Sequence, residues 1–326
     1  MKLRLAAIVL LLASSMHATQ VRFSDTRKGR FVVTPEYTRA GIWQLTPTEK
    51  AKSAALFRKA HAILLADPLL TQPAGFSVYF HRGWSEPSSW NRILCTPFPG
   101  YSVQYWMQTA ISPLLIREGR VADSEDSTFS LLMTANSARE VYRHYQLGDK
   151  GLQDRHDNEI FLEPKLISGF GKVKRYDNNL VIVHGKNASL WIPVSRGEYL
   201  QALIDKYDPA RKGRDANEYM ADFFRKELAA LPQANRRSPA RHSIGSESPS
   251  GLVAAGGKAL VRVNPIFFDK RQPRAAVQLI VLRFWYHIPS NRMEAAAHSF
   301  NHGGAAWVML QLRKRFAIEK LTALLD

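Results

Sequence analysis

The sequence predicts an α+β fold, a mainly antiparallel sheet with flanking helices, behind an N-terminal signal peptide. Short apolar runs with strand character recur between Gly75 and Glu163 with no long helix alternating among them, which argues against a doubly wound parallel sheet. Two helix starts are written plainly, at Thr46 and at Ser195. The first eighteen residues differ in kind from everything after them.

That opening segment carries Lys2 and Arg4, then an apolar run from Leu5 to Ala13, then the small residues Ser14, Ser15 and Ala18. This order is that of a cleavable export signal, with cleavage expected after Ala18 and Ser15 as the alternative. Nine apolar residues fall well short of the about twenty that a membrane-crossing helix needs. The expected mature chain is therefore exported, periplasmic or secreted, with no transmembrane segment after cleavage. No cysteine near the cut could take a lipid. The single cysteine, Cys95, cannot form an internal disulfide, and in an oxidising compartment it reads as a small core residue.

From Thr19 to Leu45 the pattern is that of an extended arm with one or two short strands. Thr46, Pro47 and Glu49 then form a capping box with proline at the first helical position, and Leu56, Ala60, Ile63 and Leu64 mark the buried face of the helix that follows. Asp67 and Pro68 stop it. Strands are predicted at Phe76, Val78 and Phe80, over Val103 to Ile116, Phe129 to Thr134 and Glu159 to Leu162. Leu180 to Val183 and Leu190 to Val194 read as a hairpin joined by His184 to Ser189. Asn187, Ala188 and Ser189 within that loop match a glycosylation sequon.

Ser195 and Glu198 make the second capping box, opening a helix with Tyr199, Leu203 and Tyr207 at helical spacing. A further helix runs from about Ala216 to Leu231 and ends at Pro232. Residues 233–251, rich in Asn, Arg, Ser, Pro and Gly, read as a flexible loop or linker. Ala259 to Val263 is a strand, and Ala276 to Tyr286 a longer apolar stretch interrupted by Gln278 and Arg283. Glu294 to His302 reads as a short helix and Ala305 to Leu325 as the last one, with Trp307, Leu310, Ala317, Leu321 and Leu324 on one side and Arg313, Lys314 and Arg315 in its middle. The expected organisation is a signal peptide (1–18), a main α+β region (19–232), a loop or linker (233–251) and a strand–helix segment (252–326) packed on the main region.

Forty-five Lys and Arg stand against 28 Asp and Glu, a net charge of +17; without Lys2 and Arg4 the balance is 43 against 28, or +15. Such a charge outside the cytoplasm points to anionic envelope lipids or glycans as partners, and a solvated basic surface is the plainer explanation of the same residues. They come in small groups, among them Lys172, Lys174 and Arg175, and Arg236, Arg237 and Arg241. The stretch with Trp84, Trp90, Phe98, Tyr101, Tyr105 and Trp106 offers aromatic platforms, so Trp84, Trp90, Tyr101 and Trp106 are candidate ligand-binding residues, beside Arg82 and Arg92. Packing accounts for these residues as well. His81 stands upstream of Cys95, a pairing that requires contact in space.

Glu294, His298 and His302 recur every four residues on one helix face and are candidate zinc ligands. The residue after the first histidine is Ser299 and not a glutamate, so the pattern offers ligands without the general base of a helical metalloprotease. A phosphate-cradling glycine loop, an exposed-serine elbow and a zinc-ribbon cysteine pattern are all missing. The expectation is a non-enzymatic exported binder of anionic or glycan envelope material. The alternatives are a metal-dependent hydrolase using Glu294, His298 and His302, and an extracellular nucleic-acid binder resting on charge.

Overall fold

The structure, a computed structural model, describes residues 22–23, 27–38, 45–85, 102–117, 120–123, 129–142, 145–148, 151–156, 158–185, 188–211, 215–243, 245–264, 266–286 and 303–326. Among them lie sixteen strands in two sheets. The larger sheet runs β10 (Leu166–Phe170), β11 (Val173–Tyr176), β12 (Leu180–Val183), β16 (Ile280–Tyr286), β7 (Phe129–Ala135), β5 (Gln104–Arg117), β4 (Phe76–Ser85), β2 (Phe31–Val33). Strands β1 (Arg22–Phe23) and β6 (Arg120–Asp123) add to β5, and β3 (Tyr37–Thr38) adds to β4. The smaller sheet runs β13 (Trp191–Pro193), β15 (Lys258–Val263), β9 (Glu159–Leu162), β8 (Leu152–Gln153), with β14 (Arg241–His242) beside β15. Only β2 and β3 pair in parallel, both with β4; the other described pairs are antiparallel. The α+β class read from the sequence is the class observed.

Alternation along the strands decides how the layers stack. On the large sheet Val181, Val183, Ile280 and Leu282 face one way, into a core shared with Leu56, Phe57, Ala60 and Leu64 of helix α1 (Pro47–Leu65), which the short α2 (Pro68–Thr71) follows. Leu180, Ile182, Leu279 and Val281 face the other way, meeting Phe161, Trp191, Val261 and Val263 of the small sheet. The far side of the small sheet, through Ile160 and Leu260, packs on Tyr199, Leu200, Leu203 and Phe224. Those residues belong to α4 (Arg196–Tyr207) and α5 (Glu218–Ala230). Helix, sheet, sheet and helix thus form four layers with an apolar core in each gap. Strand β12 reads Leu-Val-Ile-Val because it is covered on both faces, and all four side chains are buried.

Both capping boxes form. The Thr46 and Ser195 hydroxyls accept the backbone N–H of Glu49 and Glu198, and each glutamate accepts the N–H of its cap residue. Of the two polar interruptions of the Ala276 to Tyr286 stretch, Gln278 is hydrogen-bonded and Arg283 is ion-paired. Gln278 exchanges side-chain hydrogen bonds with the Asp269 backbone at 2.8 and 3.1 Å, and Arg283 lies 3.6 Å from Glu140 of the short helix α3 (Arg139–Tyr142).

Two expectations are corrected. The hairpin between Leu180–Val183 and Leu190–Val194 does not form: β12 pairs with β11 and β16, while β13 pairs with β15 in the other sheet. Each apolar run finds its neighbours at long sequence distance because burial between two sheets outweighs the local turn. The final helix, α7 (Gly303–Arg315), stops at Arg315, and after Phe316 and Ala317 the chain winds into a 3₁₀ helix, Ile318–Leu324. Val308, Met309, Leu310 and Leu312 are buried, and Trp307 points outward. In the 233–251 stretch, α6 (Gln233–Arg236) precedes a fully buried Ala240, which exchanges backbone hydrogen bonds with Val194 and Leu260, and then β14. The segment from residue 252 contributes β15 and β16, each interior to one sheet.

Candidate functional site

The residues singled out from sequence do not gather into one site. Glu294, His298 and His302, like Trp90, Tyr101, Phe98, Arg92 and Cys95, lie outside the described residues. No group of three His, Cys, Asp or Glu among the described residues is placed to hold a metal ion. Trp84 is buried in the core beneath α1, directly across from Tyr105, and Trp106 lies across from Gly83. Alternation puts the two indoles on opposite faces of the sheet, so they form no shared platform. His81 faces the Thr34 hydroxyl at 3.2 Å and stacks beside Tyr79.

A cleft of about 480 Å³ opens instead where β11 and β12 of the large sheet meet β13, β14 and β15 of the small one. Its aromatic wall is Tyr176 against Trp191, with ring centroids 5.3 Å apart and planes at 63°. Trp191 is held from behind by Phe161 at 6.4 Å, edge to face. Its indole Nε1 donates to Glu163 Oε1 at 3.2 Å, which orients both ring and carboxylate. Burial, and then the charge of Glu163, push the Tyr176 phenol up to about 12, so it keeps its proton at any physiological pH.

Four cations line the same cleft: Lys165, Lys174, Arg241 and Lys258, against the one carboxylate of Glu163. Arg241 is fixed by donating from Nε to the Gly256 carbonyl (2.6 Å) and from Nη2 to the Gly257 carbonyl (2.8 Å). Lys258 stands 3.9 Å from Asp177 and over the Tyr145 ring. Asp177 is itself held by the Tyr145 hydroxyl and by the backbone N–H of Lys165. Lys165 and Lys174 have no ion-pair partner among the described residues. The turn from β11 to β12 places these groups: Asn178 and Asn179 both take positive φ, 54° and 58°, as a type I′ turn requires.

Of these residues, the sequence marked Lys174 and Arg241 only as members of basic groups. The aromatic pair was not legible, because Tyr176 and Trp191 sit on strands of different sheets.

Two other polar clusters are tied up in internal hydrogen bonds, the first of them on the wall of a cavity of about 300 Å³. Burial pushes the Asp154 carboxyl up, but hydrogen bonds from Asn158, from the His156 N–H and from Arg262 outweigh it and hold the group below the usual carboxylate range. Arg262 also reaches Glu198 at 3.2 Å, tying the small sheet to the cap of α4. Ser250 donates to Glu227 at 2.7 Å and is almost wholly buried, out of reach of a substrate.

No protein-family model, curated protein or solved structure matches the chain. Among the described residues no helix is long and apolar enough to cross a membrane.

Proposed function

We propose that this chain is an exported binding protein that holds acidic saccharide of the cell envelope in the cleft between the two sheets. The observation that carries the reading is the convergence of Lys165, Lys174, Arg241 and Lys258 around the Tyr176–Trp191 pair. Ammonium and guanidinium groups draw a carboxylate or sulfate, and the aromatic edge and face pack against the apolar C–H surface of a sugar ring. Glu163 separates a saccharide from a bare anion: it repels free phosphate, while a sugar hydroxyl can donate to it. The export signal read at residues 1–18 supports an extracytoplasmic setting.

Calorimetric titration of the purified protein with oligogalacturonate, and with neutral oligogalactoside as the control, tests this. The acidic sugar should bind more tightly, with an affinity that falls as salt rises. Lys165→Gln with Lys174→Gln should weaken binding about tenfold or more, since each charge contact contributes roughly 1 kcal/mol. Equal affinity for the two sugars, or a double variant that binds like the parent, would overturn the reading.

A further inference from the structure

The hairpin made by β10 and β11 lends Leu166, Lys174 and the preceding Lys165 to the cleft, and beyond them carries a further exposed surface. β10 ends the large sheet, and all five of its residues are exposed. Leu166 is 53%, Ile167 61% and Phe170 81% accessible, an unusual concentration of bare apolar surface on one two-stranded ribbon. Phe170 stands at the tip, where Gly171 takes φ 53° to begin the two-residue loop. Around these side chains stand Lys165, Lys172, Lys174 and Arg175, and residues 165–176 contain no Asp or Glu.

Two features decide what fits this surface. An apolar edge strand flanked by cations matches the water–lipid boundary of an anionic bilayer, where aromatic and aliphatic groups sink to the acyl boundary and ammonium groups stay with the phosphates. A second copy paired through β10 would cover the apolar side chains but bring no counter-charge for the four cations, which an anionic bilayer supplies. The exposed edge N–H and C=O groups remain hydrated at the depth of the headgroups.

We infer that the β10–β11 hairpin docks the protein on anionic membrane, with Phe170 and Ile167 inserted at the interface and Lys172 and its neighbours on lipid phosphates. The residues assigned to insertion and tested below, Phe170, Ile167 and Lys172, do not line the cleft, whereas Lys165, Leu166 and Lys174 border both surfaces.

Sedimentation of the full chain with sucrose-loaded vesicles tests it, comparing phosphatidylcholine alone with an equimolar mixture of phosphatidylcholine and phosphatidylglycerol. The parent should bind the mixed vesicles at least about tenfold more tightly, and binding should fall as salt rises. Phe170→Ser with Ile167→Ser should weaken binding to mixed vesicles about tenfold or more, as should Lys172→Glu. Parent and variants share the same N-terminus, so any contribution from that segment cancels. Because these side chains are exposed, circular dichroism and thermal midpoint should stay unchanged, and a variant that fails this control is replaced by a bromolipid quenching measurement on Phe170→Trp, whose added emission should be quenched. Equal binding by parent and folded variants, or no quenching, overturns the inference. So does a dimer in sedimentation equilibrium that Phe170→Ser dissolves, without vesicle binding, which would assign the edge to a second copy. Vesicles hold no saccharide and the sugar titration holds no lipid, so each proposal can fail alone.

Discussion

Arg283 Nη1 lies 3.6 Å from Glu140 Oε2 in the gap between the two sheets, with the side chains only 12% and 5% exposed. Arg283 occupies the middle of β16, between Leu180 of β12 and Leu132 of β7, so its charge is carried into an otherwise apolar strand and met by a carboxylate from α3. Removing one partner takes away the opposite charge that offsets the other's burial in a medium of low polarizability. Glu140→Ala and Arg283→Ala should each lose about 3 kcal/mol in urea denaturation, whereas replacing both by apolar residues of similar volume should recover most of that loss. A double-mutant cycle with no coupling would show that the pair is not a unit.

Glu159, the first residue of β9, is buried against Gly151, where a Cβ would come within 2.1 Å of its carboxylate. Burial raises its pKa to about 7; the hydrogen bonds from Gln153 and the Leu152 N–H and the charge of Lys206 oppose this without cancelling it. The folded state therefore holds a proton that the unfolded state releases near pH 4.5. The stabilisation is fully present below that pH and is lost as pH rises through about 7, on the order of 3 kcal/mol from this group. Glu159→Gln should flatten the fall in stability between pH 5 and 8 and make the protein more stable at pH 8, read from urea midpoints at the two values. An unchanged slope would refute the assignment.

The capping residues Thr46 and Ser195 begin helices that belong to different cores, α1 and α4. Thr46→Ala and Ser195→Ala should each cost about 1 kcal/mol. The two losses should add to within a few tenths of a kcal/mol, because the sites share no partner. Chemical denaturation of the single and double variants checks both statements.

What the sequence determined by itself is local. The capping boxes, the strand runs at Phe76, Phe129, Glu159 and Ala259, and the stop at Asp67 and Pro68 are set by neighbours within a few residues, and each is found where the pattern placed it. Tertiary structure decided the partners. β12 and β13 are near each other in the chain and look like a hairpin, yet β12 lies beside β16 and β13 beside β15, since two faces of apolar side chains are buried better between sheets than in an isolated pair. The same long-range pairing gives Arg283 its glutamate and brings Tyr176, Trp191 and four cations from separate strands and loops into one cleft. Periodicity reports which face of a strand is buried; only the packed chain reports what lies across from it.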